Sequence, residues 1–174
     1  MSIRPILIAP DPRLTRHSAP ITPDDGTLPA LIRDLTETLR HTDNGIGLSA
    51  PQIGINKRIF AVQIDSAMCP IDPYIVINPV ILSVSTEVDE DNEGCLSLPT
   101  YYENVTRPRH IQLRYQDSQF TTQTCAASGL IARCYQHEID HLNGVLFIDY
   151  LSPLKKRMAL RKCAKIKKKQ DRLP

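Results

Sequence analysis

A chain of 174 residues that is 41% hydrophobic and 23% charged has the composition of a soluble globular protein and is long enough to bury a core within one domain, read as residues 1–174. No apolar run approaches the length of a membrane span, and Met1-Ser2-Ile3-Arg4-Pro5 does not open a signal peptide, so membrane-spanning and secreted classes are set aside. The net charge of +2 divides unevenly: ten Lys or Arg and one acid lie between Lys155 and Arg172, leaving 11 basic and 18 acidic residues, a net −7, over 1–154.

In chain order, Pro5-Ile6-Leu7-Ile8-Ala9-Pro10 is a short apolar run ended by Asp11-Pro12, followed by a polar loop to Asp25-Gly26. Leu28, Leu31, Ile32, Leu35 and Leu39 recur at helical spacing and predict an amphipathic first helix. Gly45, Gly47, Pro51 and Gly54 then break that period. Arg58–Ile64 and Tyr74–Asn78 read as strands, Val80–Val88 as another, and Asp89–Glu93 as an acidic approach to Gly94-Cys95-Leu96-Ser97-Leu98-Pro99. Arg109–Tyr115 and Phe120–Cys125 predict two more strands around an Asp117-Ser118 turn. Ser128-Gly129 opens a helix over about 129–142, and Leu151-Ser152-Pro153 starts a basic C-terminal helix over about 152–170. The expected fold is α+β, with mostly antiparallel strands packed around the 129–142 helix and a C-terminal helix. Five cysteines, at 69, 95, 125, 134 and 163, follow no pairing pattern and point to reduced thiols and a cytoplasmic setting.

Within the 129–142 helix stands Gln136-His137-Glu138-Ile139-Asp140-His141, an H-E-x-x-H. Histidines four apart lie one turn apart on the same face and can share one metal ion. Glu138, about 100° round the helix from His137, flanks the ion without ligating it, as suits a general base acting on water that the ion activates. A catalytic site needs a third protein ligand and an open position. Phe147 stands where the longer H-E-x-x-H-x-x-G-x-x-H pattern has its third histidine, and no Glu follows Glu138, so the ligand comes from elsewhere. Cys95, beside Gly94 and four residues before Pro99, which is expected to end any strand, has the chemistry of a side chain presented at a strand end or loop. Cys134 shares the histidine face, but three ligands from one helix would all lean the same way. Cys95 is therefore favoured, and Cys134 is read as a small wall residue beside the site, with the alternative left open. His110 reads as structural. Two imidazoles, a thiolate and water suit Zn²⁺, Fe²⁺ or a similar divalent ion. Gln52, held in a Gly-rich turn, and the backbone N–H of Leu96 are the candidate donors to a developing oxyanion.

Together, Gly45-Ile46-Gly47-Leu48-Ser49-Ala50-Pro51-Gln52, Glu93-Gly94-Cys95-Leu96-Ser97 and Gln136-His137-Glu138-Ile139-Asp140-His141 resemble the three motifs of peptide deformylases, G-x-G-L-A-A-x-Q, E-G-C-L-S and Q-H-E-x-D-H, in order and spacing. The resemblance implies Cys95, His137 and His141 as metal ligands, Glu138 as general acid/base, Gln52 and the Leu96 N–H on the formyl oxygen, and Gly47 near the bound peptide. It also implies Fe²⁺, with Zn²⁺, Ni²⁺ or Co²⁺ able to substitute. The substrates would be N-formylmethionyl nascent peptides, with the methionine side chain in an apolar pocket that Leu130 and Cys134 help to wall. Two positions depart from similar sequences: Ser49 replaces an alanine, and Arg133 stands where an apolar pocket residue is expected, which would alter the polarity of the pocket mouth. The basic C-terminal helix is similar to that of bacterial deformylases and implies docking on the ribosome; a solvated helix face is the plainer reading. A monomer is expected. A competing reading closes a structural Cys₂His₂ site from Cys95, Cys134, His137 and His141, which leaves Glu138 and Gln52 without a task.

Overall fold

The computed structural model describes residues 3–64 and 72–170; Cys69 and Asp171 lie outside them. The described helices are α1 (Leu28–Arg40), α2 (Gly129–Leu142) and α3 (Pro153–Gln170). The strands are β1 (Gly47–Ser49), β2 (Ile59–Val62), β3 (Tyr74–Val84), β4 (Val88–Cys95), β5 (Leu98–Pro108), β6 (His110–Gln116) and β7 (Thr122–Ser128). Five of them form one sheet in the order β1-β2-β3-β6-β7, and β4 and β5 form a separate hairpin. Every pairing among these strands is antiparallel.

Helices cover both faces of the sheet, and the period-2 alternation along β2 shows why. Phe60 and Val62 join Leu113, Ala132, Tyr135 and Ile139 under α2, while Ile59 and Ala61 join Leu31, Leu35 and Leu39 under α1. The leucine spacing that predicted α1 is the row it buries, at about 1.5–3 kcal/mol for each fully buried leucine. A third cluster packs α3, through Ala159 and Cys163, onto Leu98 and Val105 of the hairpin and onto Phe147 and Ile148. α2 therefore sits between sheet and hairpin. It ends at Leu142, and two residues on Gly144 has φ +74, with Thr15 O only 2.5 Å from where a Cβ would stand. Only glycine fits that crossing.

Several boundaries differ from the expectation. Tyr74–Asn78 and the run from Val80 belong to one strand, β3, whose register slips between Ile77 and Val80. Asn78 takes φ 49 there, so Pro79 sits at an irregularity where its missing N–H costs no ladder bond. The expected run to Val88 instead ends at Val84, and Val88 begins β4. The acidic 89–93 stretch, left without an element in the sequence, is strand, and Pro99 lies inside β5 next to a register shift rather than ending a strand. Phe120, at φ 60, is in the turn, so β7 starts at Thr122. His110 opens β6 at the surface, 3.7 Å from Glu87.

Candidate active site

Pairing of Cys95 with Leu98 leaves Leu96 and Ser97 as a tight turn, so the hairpin tip carries Cys95. That tip faces α2. One ligand atom each from Cys95, His137 and His141 lie within 4.8 Å of one another, and Cys95 Sγ is 3.2 Å from His141 Nε2. A tetrahedral ion with bonds of about 2.3 Å to sulfur and about 2.0 Å to nitrogen holds S and N about 3.5 Å apart, so the trio fits one ion. The donor set agrees. Burial, with His137 and Arg107 nearby, holds His141 well below its ordinary pKa, leaving the neutral imidazole that a metal requires. For His137, burial pulls the pKa down but the Cys95 sulfur and the Glu93 carboxylate outweigh it, raising it to about 10; an ion would take the proton's place. Phe147, where a third histidine was sought, lays its ring 6.1 Å from that of His137 at 30° and helps hold it.

The chief site residue missed in the sequence reading is Glu93. Its carboxylate is buried and accepts from His137 Nδ1 at 3.1 Å, from Arg107 Nε at 2.5 Å and Nη2 at 2.9 Å, and from Arg133 Nη1 at 2.6 Å. Burial alone would raise its pKa, but the bonds from His137 and Arg107 bring it down to about 2. A fixed anion on Nδ1 sets the tautomer and ring angle of His137 and frees Nε2 for an ion. Arg107 also reaches Asp140 at 2.8 Å and lies 5.1 Å over the Tyr150 ring. A ligating histidine with a free Nδ1 always calls for such a partner, but nothing in the spacing says which of five consecutive polar residues supplies it.

Gln52 sits in a short 3-10 turn, Ala50–Ile53, directly after β1. Its Oε1 accepts from Ser49 N at 2.8 Å and Ser49 Oγ at 2.9 Å. The amide N–H₂ is thereby turned toward Cys95 Sγ, at 3.6 Å, and Ser97 Oγ, at 3.3 Å. The serine that replaces an alanine thus adds a second donor that fixes the amide's direction. Glu138 is buried, its Oε2 has no hydrogen-bond partner, and burial lifts its pKa to about 7. The charge of a bound dication opposes that rise.

A cavity of about 420 Å³ opens beside these groups. Gly47, Gln52, Cys95, Leu96, Leu130, Arg133, Cys134, His137 and Glu138 all line it, whereas His141 lies behind the wall. Leu130 is an exposed rim residue at 52%. Cys134 Sγ is outside the ligand trio and points toward Ile46 O at 3.7 Å. Arg133 departs from expectation. It lines the cavity, but its guanidinium is held in the buried Glu93 network, where it finds three acceptors. Gly47 is needed for space: a Cβ would stand 2.4 Å from Glu138 Oε1 and 3.0 Å from Cys134 Sγ. Gly47→Ala is expected to displace the carboxylate and lower kcat/KM about 10²-fold, the cost of misplacement by about 1 Å, with metal content per chain unchanged. Activity near wild type would mean that Glu138 relaxes freely.

The family model of polypeptide deformylases matches residues 3–157. The chain is 44% identical over 168 residues to a peptide deformylase of Rhizobium meliloti, covering 97% of this chain and 96% of the relative. Among solved structures, a peptide deformylase from Legionella pneumophila superposes with a TM-score of 0.88 at 40% identity, over 99% of each chain. One from Ehrlichia chaffeensis, in complex with actinonin, superposes at 0.87 with 39% identity over 97% of this chain and 98% of that one. A match of this extent, with the three motif segments gathered round one cavity, places the chain in the polypeptide deformylase family.

Proposed function

We propose that Glu138, Gln52 and the Leu96 backbone N–H carry out deformylation here on a ferrous ion held by Cys95, His137 and His141. The protein is a peptide deformylase, a metal-dependent hydrolase that removes the N-formyl group from nascent peptides. The observation that carries the residue assignment is the convergence of a thiol, one imidazole, an amide N–H₂ and a buried carboxylate on one cavity wall, with the second imidazole within 4.8 Å of the other two ligand atoms. The ion, when bound, supplies Lewis acidity to the formyl carbonyl and acidifies water. Glu138 takes the proton of the attacking water and passes it to the leaving amine. Gln52 Nε2 and the Leu96 N–H donate to the oxygen as it gains charge. The methionine side chain enters the cavity beside Gly47, with Leu130, Cys134 and Arg133 as wall.

Residues 1–174 are read as one catalytic domain that acts as a cytoplasmic monomer. No helix of the described residues is long and apolar enough to cross a membrane. The ribosome is the partner read for α3, a polyanion that its basic face suits, while the helix is tied to the body through Ala159 and Cys163. Formate release from an N-formylmethionyl peptide, measured on Fe²⁺- and Zn²⁺-loaded protein, tests the site. Turnover with both ions and faster turnover with iron is expected. No turnover by either loaded form would refute the residue assignment, and equal rates would refute the preference for iron.

A further inference from the structure

The departure at Arg133 has a structural use. On α2, Arg133 precedes His137 by four residues, one turn, so both side chains lie on one face and both bond to Glu93. His137 Nδ1 takes Oε2 at 3.1 Å while Arg133 Nη1 takes Oε1 at 2.6 Å. The same guanidinium reaches further, Nη1 to Val105 O at 2.9 Å and Nη2 to Asp89 O at 2.8 Å. Asp89 lies on β4 and Val105 on β5. One rigid fork therefore joins the helix that carries both histidines to each strand of the hairpin that carries Cys95. The side chain is 10% exposed, so these bonds face little competition from water. Arg107, on β5, binds Glu93 as well and reaches Asp140 of α2, so it crosses the same junction from the hairpin side, whereas Arg133 crosses it from the helix and grips the backbone of both strands.

We propose that Arg133 is a positioning residue for the metal centre, a strut that sets the separation between the Cys95 thiolate and the two imidazoles. It touches neither ion nor substrate with its charged end, and acts through Glu93 and the hairpin backbone. The role needs Arg in particular. Three acceptors shared between two nitrogens match a guanidinium fork, whereas an ammonium is a point charge on a flexible stem. The inference rests on the metal-site assignment of the preceding subsection and adds what holds that site's two halves in register.

The test is the rate at which Co²⁺-loaded protein gives up its ion to excess chelator, followed through the thiolate-to-cobalt absorption. Arg133→Met keeps the cavity wall apolar and is expected to release Co²⁺ about 10–100-fold faster than wild type, the range found when groups that orient metal ligands are removed. Its absorption band should shift as the sulfur moves relative to the imidazoles. Arg133→Lys, which keeps the charge and one bond, should fall between the two and keeps the test open if Arg133→Met does not fold. A purely structural arginine would lower the unfolding temperature and leave release rate and band unmoved, and that result in a folded variant overturns the strut. A wild-type protein that binds no Co²⁺ would overturn the metal site and the strut together. Tight binding by wild type and variants alike overturns the strut alone.

Discussion

Glu138→Ala is expected to retain its ion and lose about 10²–10⁴-fold in kcat, the usual weight of a positioned general acid/base, or about 2.7–5.5 kcal/mol of barrier. Metal retention is expected from geometry, because the group whose atoms could hold an ion is Cys95, His137 and His141, and Glu138 Oε1 lies against Gly47. Stability should not suffer much. A buried carboxyl with one oxygen unpartnered is a cost to the fold, so its removal leaves the unfolding temperature unchanged or higher. Metal analysis, thermal unfolding and formate release on the same preparation decide it. Loss of the ion together with activity would mean that Glu138 has been given the wrong role.

The second large effect separates the two thiols. Cys95→Ser exchanges a soft thiolate for a weakly acidic hydroxyl at one of three ligand positions, and metal affinity should fall by about 10²–10³-fold, a part of the about 10–16 kcal/mol that such sites gain on binding. Cys134→Ser should leave affinity within a few-fold of wild type, since its sulfur stands outside the trio and turns toward Ile46 O. Competition against a chelator of known affinity gives both numbers. Release of the ion by Cys134→Ser would revive the closed Cys₂His₂ site and sink the open catalytic one.

Both effects follow from features of unequal legibility in the chain. The leucine row of α1 and the four-residue spacing of His137 and His141 are helical periodicities, which depend only on 3.6 residues per turn. The strand β5 was not legible. Leu98–Pro108 is polar on much of both faces, holds its register by pairing with β4, and contains Pro99, which sequence rules place at a strand's end. Three-residue β1 is too short to show a period. Gln52 was recognisable as an amide donor, but the direction of its amide is set by Ser49 N and Oγ, which only the folded turn brings to Oε1.

Local spacing alone therefore determined that one helix carries His137 and His141 a turn apart on one face with Glu138 beside them, because neighbours within a turn are placed by backbone geometry. Which thiol stands beside the two imidazoles, which carboxylate holds His137, and where Arg133 sends its charge were decided by the docking of the β4–β5 hairpin on α2. Those partners lie about 40 residues apart. Contacts at that range depend on how whole elements pack against one another, and no periodicity in the chain encodes it.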